Sequence, residues 1–69
     1  MRREPVASSN VASIGYDPGS QTLEVEFHSG RVYQYLDVPE HVHQAFMGAE
    51  SKGKFLHYEI KSGYRCVRL

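Results

Sequence analysis

The chain has one cysteine (Cys66), no tryptophan, and no excess of either charge sign among its 69 residues. A lone thiol excludes an internal disulfide and any metal site built from several cysteines, and it fits a reducing compartment. No stretch approaches the ~20 consecutive apolar residues that a membrane-spanning helix needs. Arg2 and Arg3 near the N-terminus have no apolar run behind them, so a secretory signal is not expected. The expected setting is the cytoplasm, with no membrane contact. The length is near the lower limit for a domain without disulfide or metal staples, so most large apolar residues must be inside.

What is present is unevenly spread. Eight Lys and Arg balance eight Asp and Glu, yet Asp17, Glu24, Glu26, Asp37, Glu40 and Glu50 crowd the middle of the chain, where Arg31 is the one base. From Ser51 onward the order reverses: Lys52, Lys54, Lys61, Arg65 and Arg68 stand against Glu59 alone. Such polarity can orient a charged partner, or it can bring the two halves together in the fold.

Residues 1–7 read as a flexible leader ahead of a single domain over 8–69. Val11 to Tyr16 fits a short strand. Asp17-Pro18-Gly19-Ser20 is a turn in which proline presets φ and glycine accepts a positive one. Thr22 to His28 alternates, with Leu23, Val25 and Phe27 on one face and Glu24 and Glu26 on the other. The return strand, Arg31 to Leu36, depends on its loop, because a one-residue slip exchanges the faces. A three-residue loop with Gly30 in the left-handed position sets Phe27 opposite Arg31 and Val25 opposite Tyr33. It puts Tyr33 and Tyr35 in the core, groups Gln34 with the glutamates, and leaves Val32 and Leu36 outside. That register is expected.

Pro39 suits the start of a helix, with Asp37 placed to cap it. Val42, Ala45, Phe46 and Ala49 then form a helical stripe, which Gly48 weakens near its end. In "SKGKFLHYEIK", Ser51 to Lys61, periodicity does not separate helix from strand. Leu56, Tyr58 and Ile60 alternate, but Ser51 is also a good N-cap and Gly63 a fitting helix terminator. The alternation of Tyr64, Cys66 and Arg68 with Arg65, Val67 and Leu69 also fits a short C-terminal strand.

Taken in order, Ser8, Ser9, Gly15, Tyr16, Asp17, Gly30, Tyr33, Tyr35, Val38, Pro39, Ala49, Ser51, Gly53 and Ile60 resemble the pattern of KTSC domains. That family is named for its occurrence at the C-terminus of some lysyl-tRNA synthetases, and it also occurs as small stand-alone bacterial and phage proteins. The resemblance runs from Ser8 to about Tyr64. It implies a sheet followed by helices, and so a second helix from roughly Gly53 to Lys61. One departure is His57, where asparagine would be expected. The family brings no established catalytic residues. The expected fold is therefore α+β: a three-stranded antiparallel meander, then two short helices packed on one sheet face.

Function is read from surfaces. Ser51 and His57, six residues apart on a helix, do not face each other, so Ser51 reads as a cap rather than a nucleophile. Cys66 reads as a small packing residue. His41 and His43 are two apart and diverge on a helix, and His28 lies at the hairpin, so no metal site is expected. No enzyme activity and no cofactor are expected either. The sharper expectation is a non-catalytic module serving RNA or other nucleic acid, tRNA included. Lys52, Lys54, Lys61, Arg65 and Arg68 would meet phosphates, and Tyr58 and Tyr64 would stack on bases. So few cations predict weak, salt-sensitive binding. The rival is a protein-interaction or self-association module using Val32 and Leu36, or an open sheet edge at Val11 to Tyr16.

Overall fold

The computed structural model describes residues 1–69. The β3–β4 hairpin is the clearest product of the sequence. Strand β3 (Thr22–Phe27) and strand β4 (Val32–Tyr35) pair with Leu23 opposite Tyr35 and Val25 opposite Tyr33. Gly30 has φ +94°, and its N–H donates to the Phe27 carbonyl at 2.9 Å. The Phe27 N–H donates to the Arg31 carbonyl at 2.9 Å, so the expected three-residue loop is present. Tyr35 is buried in the core, which pushes its phenol up to about 12. Tyr33 is half-buried against the core.

Strand β2 (Val11–Asp17) pairs with β3, and the two join through a turn held by the Asp17 carboxylate. Ser20 Oγ donates to it at 2.9 Å and the Gly19 N–H at 3.0 Å, which holds that carboxyl below its ordinary value. The positive φ falls on Gln21 (54°) rather than Gly19. The twist at Gln21 presents its carbonyl to the Val38 N–H at 2.9 Å, tying the turn to the entry of the first helix.

The three-stranded expectation understates the sheet, which has five antiparallel strands in the order β1-β2-β3-β4-β5. Strand β1 (Arg3–Pro5) lies within the segment expected as a flexible leader. It covers the β2 edge, so the docking edge expected at Val11 to Tyr16 is not open. The ladder sets Arg3, Gly15 and Glu24 in one row. Gly15 has no side chain to block the row, and the Arg3 guanidinium reaches across it to Glu24 at 2.8 Å. Gln34 Nε2 donates to the same carboxylate at 2.9 Å. Glu24, expected in solvent, is only 7% exposed. Strand β5 (Cys66–Arg68) pairs with β4 as the other edge, fitting the alternation of the C-terminal tail. Cys66 is exposed there, correcting its assignment as a packing residue.

The helices cover one sheet face. Helix α1 (Glu40–Gly48) starts after Pro39 with no side-chain cap. Asp37 does not cap it; with φ +57° it makes the turn out of β4, a conformation aspartate tolerates better than most residues. Phe46 is fully buried, while Val42 and Met47 pack against the core. Ala45, expected in the stripe, is exposed, because the helix is rolled so that His43 stacks on Tyr16 at 4.6 Å. Helix α2 (Lys52–Phe55) is capped as expected, with Ser51 Oγ accepting from the Lys54 N–H at 3.2 Å. It runs on into a π-helical turn, Leu56–Ile60, closed by the Lys61 N–H donating to the Leu56 carbonyl at 2.8 Å. Leu56 and Ile60 both enter the core. No helix is long and apolar enough to cross a membrane.

Candidate functional site

Three segments distant in sequence meet around an open groove of about 1000 Å³. One wall is the α2–π helix, the second is the β3–β4 hairpin, and the third is the loop Ser8–Asn10. His28 pins that loop from the hairpin. Its backbone N–H donates to the Asn10 carbonyl at 3.0 Å, and its Nε2–H donates to the Ser8 carbonyl at 2.9 Å. In the neutral ring this leaves Nδ1 as an acceptor. Ser8 Oγ tightens the loop further by accepting from the Val11 N–H at 3.2 Å. On the helical side Gly53 admits Asn10, whose Nδ2 would lie 3.3 Å from any Cβ placed there. The loop and the helix are therefore seated against each other by a missing side chain.

The groove concentrates one sign of charge. Arg31, Lys52, Lys54 and Lys61 line it, with Glu50 as the single carboxylate, in a chain whose formal charge is zero. Lys52 is partly engaged, since Nζ donates to the Ala49 carbonyl at the end of α1. Lys54, Lys61 and Arg31 are exposed. Tyr58, 68% exposed, lies on the helical wall, and His57 meets its ring edge-to-face at 4.8 Å and 80°. Tyr33 also lines the groove, set edge-to-face against Phe27 at 5.7 Å.

A smaller cleft of about 470 Å³ lies by the Tyr16–His43 stack. Burial lowers His43 below its ordinary value of 6.5, against the opposing pull of Glu4 and Glu40. Burial first, then Glu40 and Asp17, raises the Tyr16 phenol. Arg2 offsets Glu4 and Glu40 there, so this cleft gathers no excess of positive charge. No group of three or more His, Cys, Asp or Glu side chains is placed to hold a metal ion.

Of the residues expected to bind nucleic acid, Lys52, Lys54, Lys61 and Tyr58 come together in the groove. Arg65 and Arg68 do not line it; Arg68 lies on β5 and Arg65 immediately before it. Tyr64 is half-buried, packs against the core and does not line the groove. Periodicity and charge runs missed Arg31, His28 and the Ser8–Asn10 loop. A signal for part of this was present in the family pattern, because Ser8, Ser9, Tyr33, Ser51 and Gly53 all line the groove.

Comparison with known proteins agrees with the fold. The KTSC domain model matches residues 7–64. A crystal structure of a KTSC domain protein from Yersinia pestis superimposes with a TM-score of 0.92 at 49% identity, covering 99% of this chain and 96% of that one. An uncharacterised protein of Stutzerimonas stutzeri is 46% identical over 70 residues, 100% of this chain and 99% of its own length. A lysine–tRNA ligase of Nostoc sp. is 38% identical over 61 residues, which are 88% of this chain but 11% of the ligase. The five-stranded sheet with its helical face, and the matches along its length, place the chain in the KTSC domain family.

Proposed function

We propose that the groove binds a nucleic acid and that the domain is a non-catalytic accessory module working in the cytoplasm. The observation that carries this reading is the gathering of Arg31, Lys52, Lys54 and Lys61 around one concavity with a single carboxylate, in a chain of zero formal charge. Phosphate is the ligand chemistry that such a site favours. The kinship with a region of a lysine–tRNA ligase supports an RNA ligand, tRNA included. At the groove, Ser51 caps a helix rather than meeting a general base. With Arg31, Lys54 and Lys61 exposed, about three phosphates are neutralised. The logarithm of affinity should then fall with the logarithm of salt with a slope of about −2 to −3.

The test is the affinity of labelled tRNA for the wild type and for the K54E/K61E variant, read by fluorescence anisotropy. Both side chains are exposed, so the fold is retained. Affinity is expected to fall at least ~10-fold, about 1.4 kcal/mol, while R65E/R68E changes it less. Equal affinity of wild type and K54E/K61E would remove the groove from the reading.

A protein contact is the second reading. It is favoured by Val67 (45% exposed) and Leu69 (65% exposed) beside half-buried Val32 and Leu36 at the β4–β5 edge. Substituting those four by polar residues would abolish such a contact and leave tRNA affinity intact.

A further inference from the structure

We infer that the groove takes an unpaired stretch of polynucleotide, with Tyr58 as the platform on which a base stacks. This rests on the nucleic-acid reading above and narrows it to one class of ligand. Lys54, Tyr58 and Lys61 follow one another along the wall made by α2 and the π-helical turn, and all three line the groove. An exposed aromatic side chain therefore shares one wall with two exposed cations that can grip the backbone beside it. Arg31 stands on the opposite wall, so a phosphate chain is flanked by cations across the groove as well as along it.

A lone exposed tyrosine is ordinary on a protein surface. Two features set Tyr58 apart. His57 packs edge-to-face on its ring at 4.8 Å and 80°, restricting its orientation. Lys54 and Lys61, exposed like the tyrosine, line the groove on the same wall. In a duplex the base faces are covered by their neighbours, and what faces outward is phosphate, sugar and base edge. An aromatic face among cations gains little from that surface. An unpaired strand offers a base face to the ring and its backbone to Lys54, Lys61 and Arg31 together.

The experiment compares the full-length chain with labelled oligonucleotides of about a dozen nucleotides, within the range such grooves occupy. Single-stranded RNA, single-stranded DNA of the same sequence, and the RNA duplex form the three arms. Single strands are expected to bind roughly 10-fold tighter than the duplex, reflecting about one stacked base. Y58A is expected to remove that preference with little change in duplex affinity, and Y58F, which keeps the aromatic face, to retain it. The RNA and DNA arms identify the sugar that the groove accepts. A duplex that binds as tightly as the single strands, or a Y58A variant weakened equally for both, overturns the inference and leaves the nucleic-acid reading standing. Absence of binding in all three arms at low salt overturns both.

Discussion

Replacing Phe46 with alanine is expected to destabilise the fold by about 3–5 kcal/mol. Phe46 is fully buried, and it is the one buried residue of α1. Its ring stacks on Phe55 of α2 at 5.4 Å and 17°, so it joins the two helices as well as joining α1 to the sheet. A chain of this size has roughly 3–10 kcal/mol of total stability. The loss is therefore comparable with the whole. Urea denaturation followed by circular dichroism should show F46A largely unfolded or with a sharply lowered midpoint, and F46L affected much less. A midpoint near that of the wild type would mean that α1 does not hold the core together through this residue.

Gly15→Val is expected to detach β1, at a loss of about 3 kcal/mol from forced repacking and a broken charged hydrogen bond. A Cβ at this position would lie 2.7 Å from the Arg2 carbonyl oxygen and 2.9 Å from Arg3 Cγ. The first of these atoms is backbone, so the clash is relieved only by moving the strand. Once Arg3 leaves, the carboxylate of Glu24 keeps Gln34 as its sole side-chain partner while remaining on the sheet. The Val6 amide, which donates to the Ala12 carbonyl at 3.1 Å, should lose protection from hydrogen exchange, while amides between β3 and β4 stay protected. Arg3→Ala combined with Gly15→Val should cost less than the sum of the two, since both break the same contact. A protected Val6 amide in G15V would contradict the close approach.

The Gly15 row explains why part of the fold was hidden in the sequence. The alternation of the tail already suggested β5, but β1 is three residues, Arg-Glu-Pro, too short to show a period of two and without a large apolar side chain. Its place depends on a salt bridge between residues 21 apart and on a glycine, and neither is a local signal. The β3–β4 hairpin was legible because strict alternation and Gly30 act over a few residues. Ser51 was legible as a cap for the same reason. The roll of α1 was not, because the stack of His43 on Tyr16 turns Ala45 outward.

The candidate site divides along the same line. Lys52, Lys54, Tyr58 and Lys61 lie on α2, the π-helical turn and its C-cap, so this part of the charge run falls on one wall of the groove. Arg65 and Arg68 belong to the same run, but the chain turns at Tyr64 to enter β5 and carries them out of the groove. Arg31 looked like an isolated base in an acidic stretch. It becomes part of the site through the hairpin loop, which sets it at the groove facing residues more than twenty positions later.

The central claim is that this groove, and not the β5 edge, is the ligand surface. The most direct measurement is a two-dimensional amide NMR titration of the whole chain with single-stranded RNA at two salt concentrations. Shifts gathered at Ser8–Asn10, His28–Arg31 and Ser51–Lys61, weaker at the higher salt, are the predicted result. A folded spectrum that shifts only at Arg65–Leu69, or not at all at low salt, would contradict it.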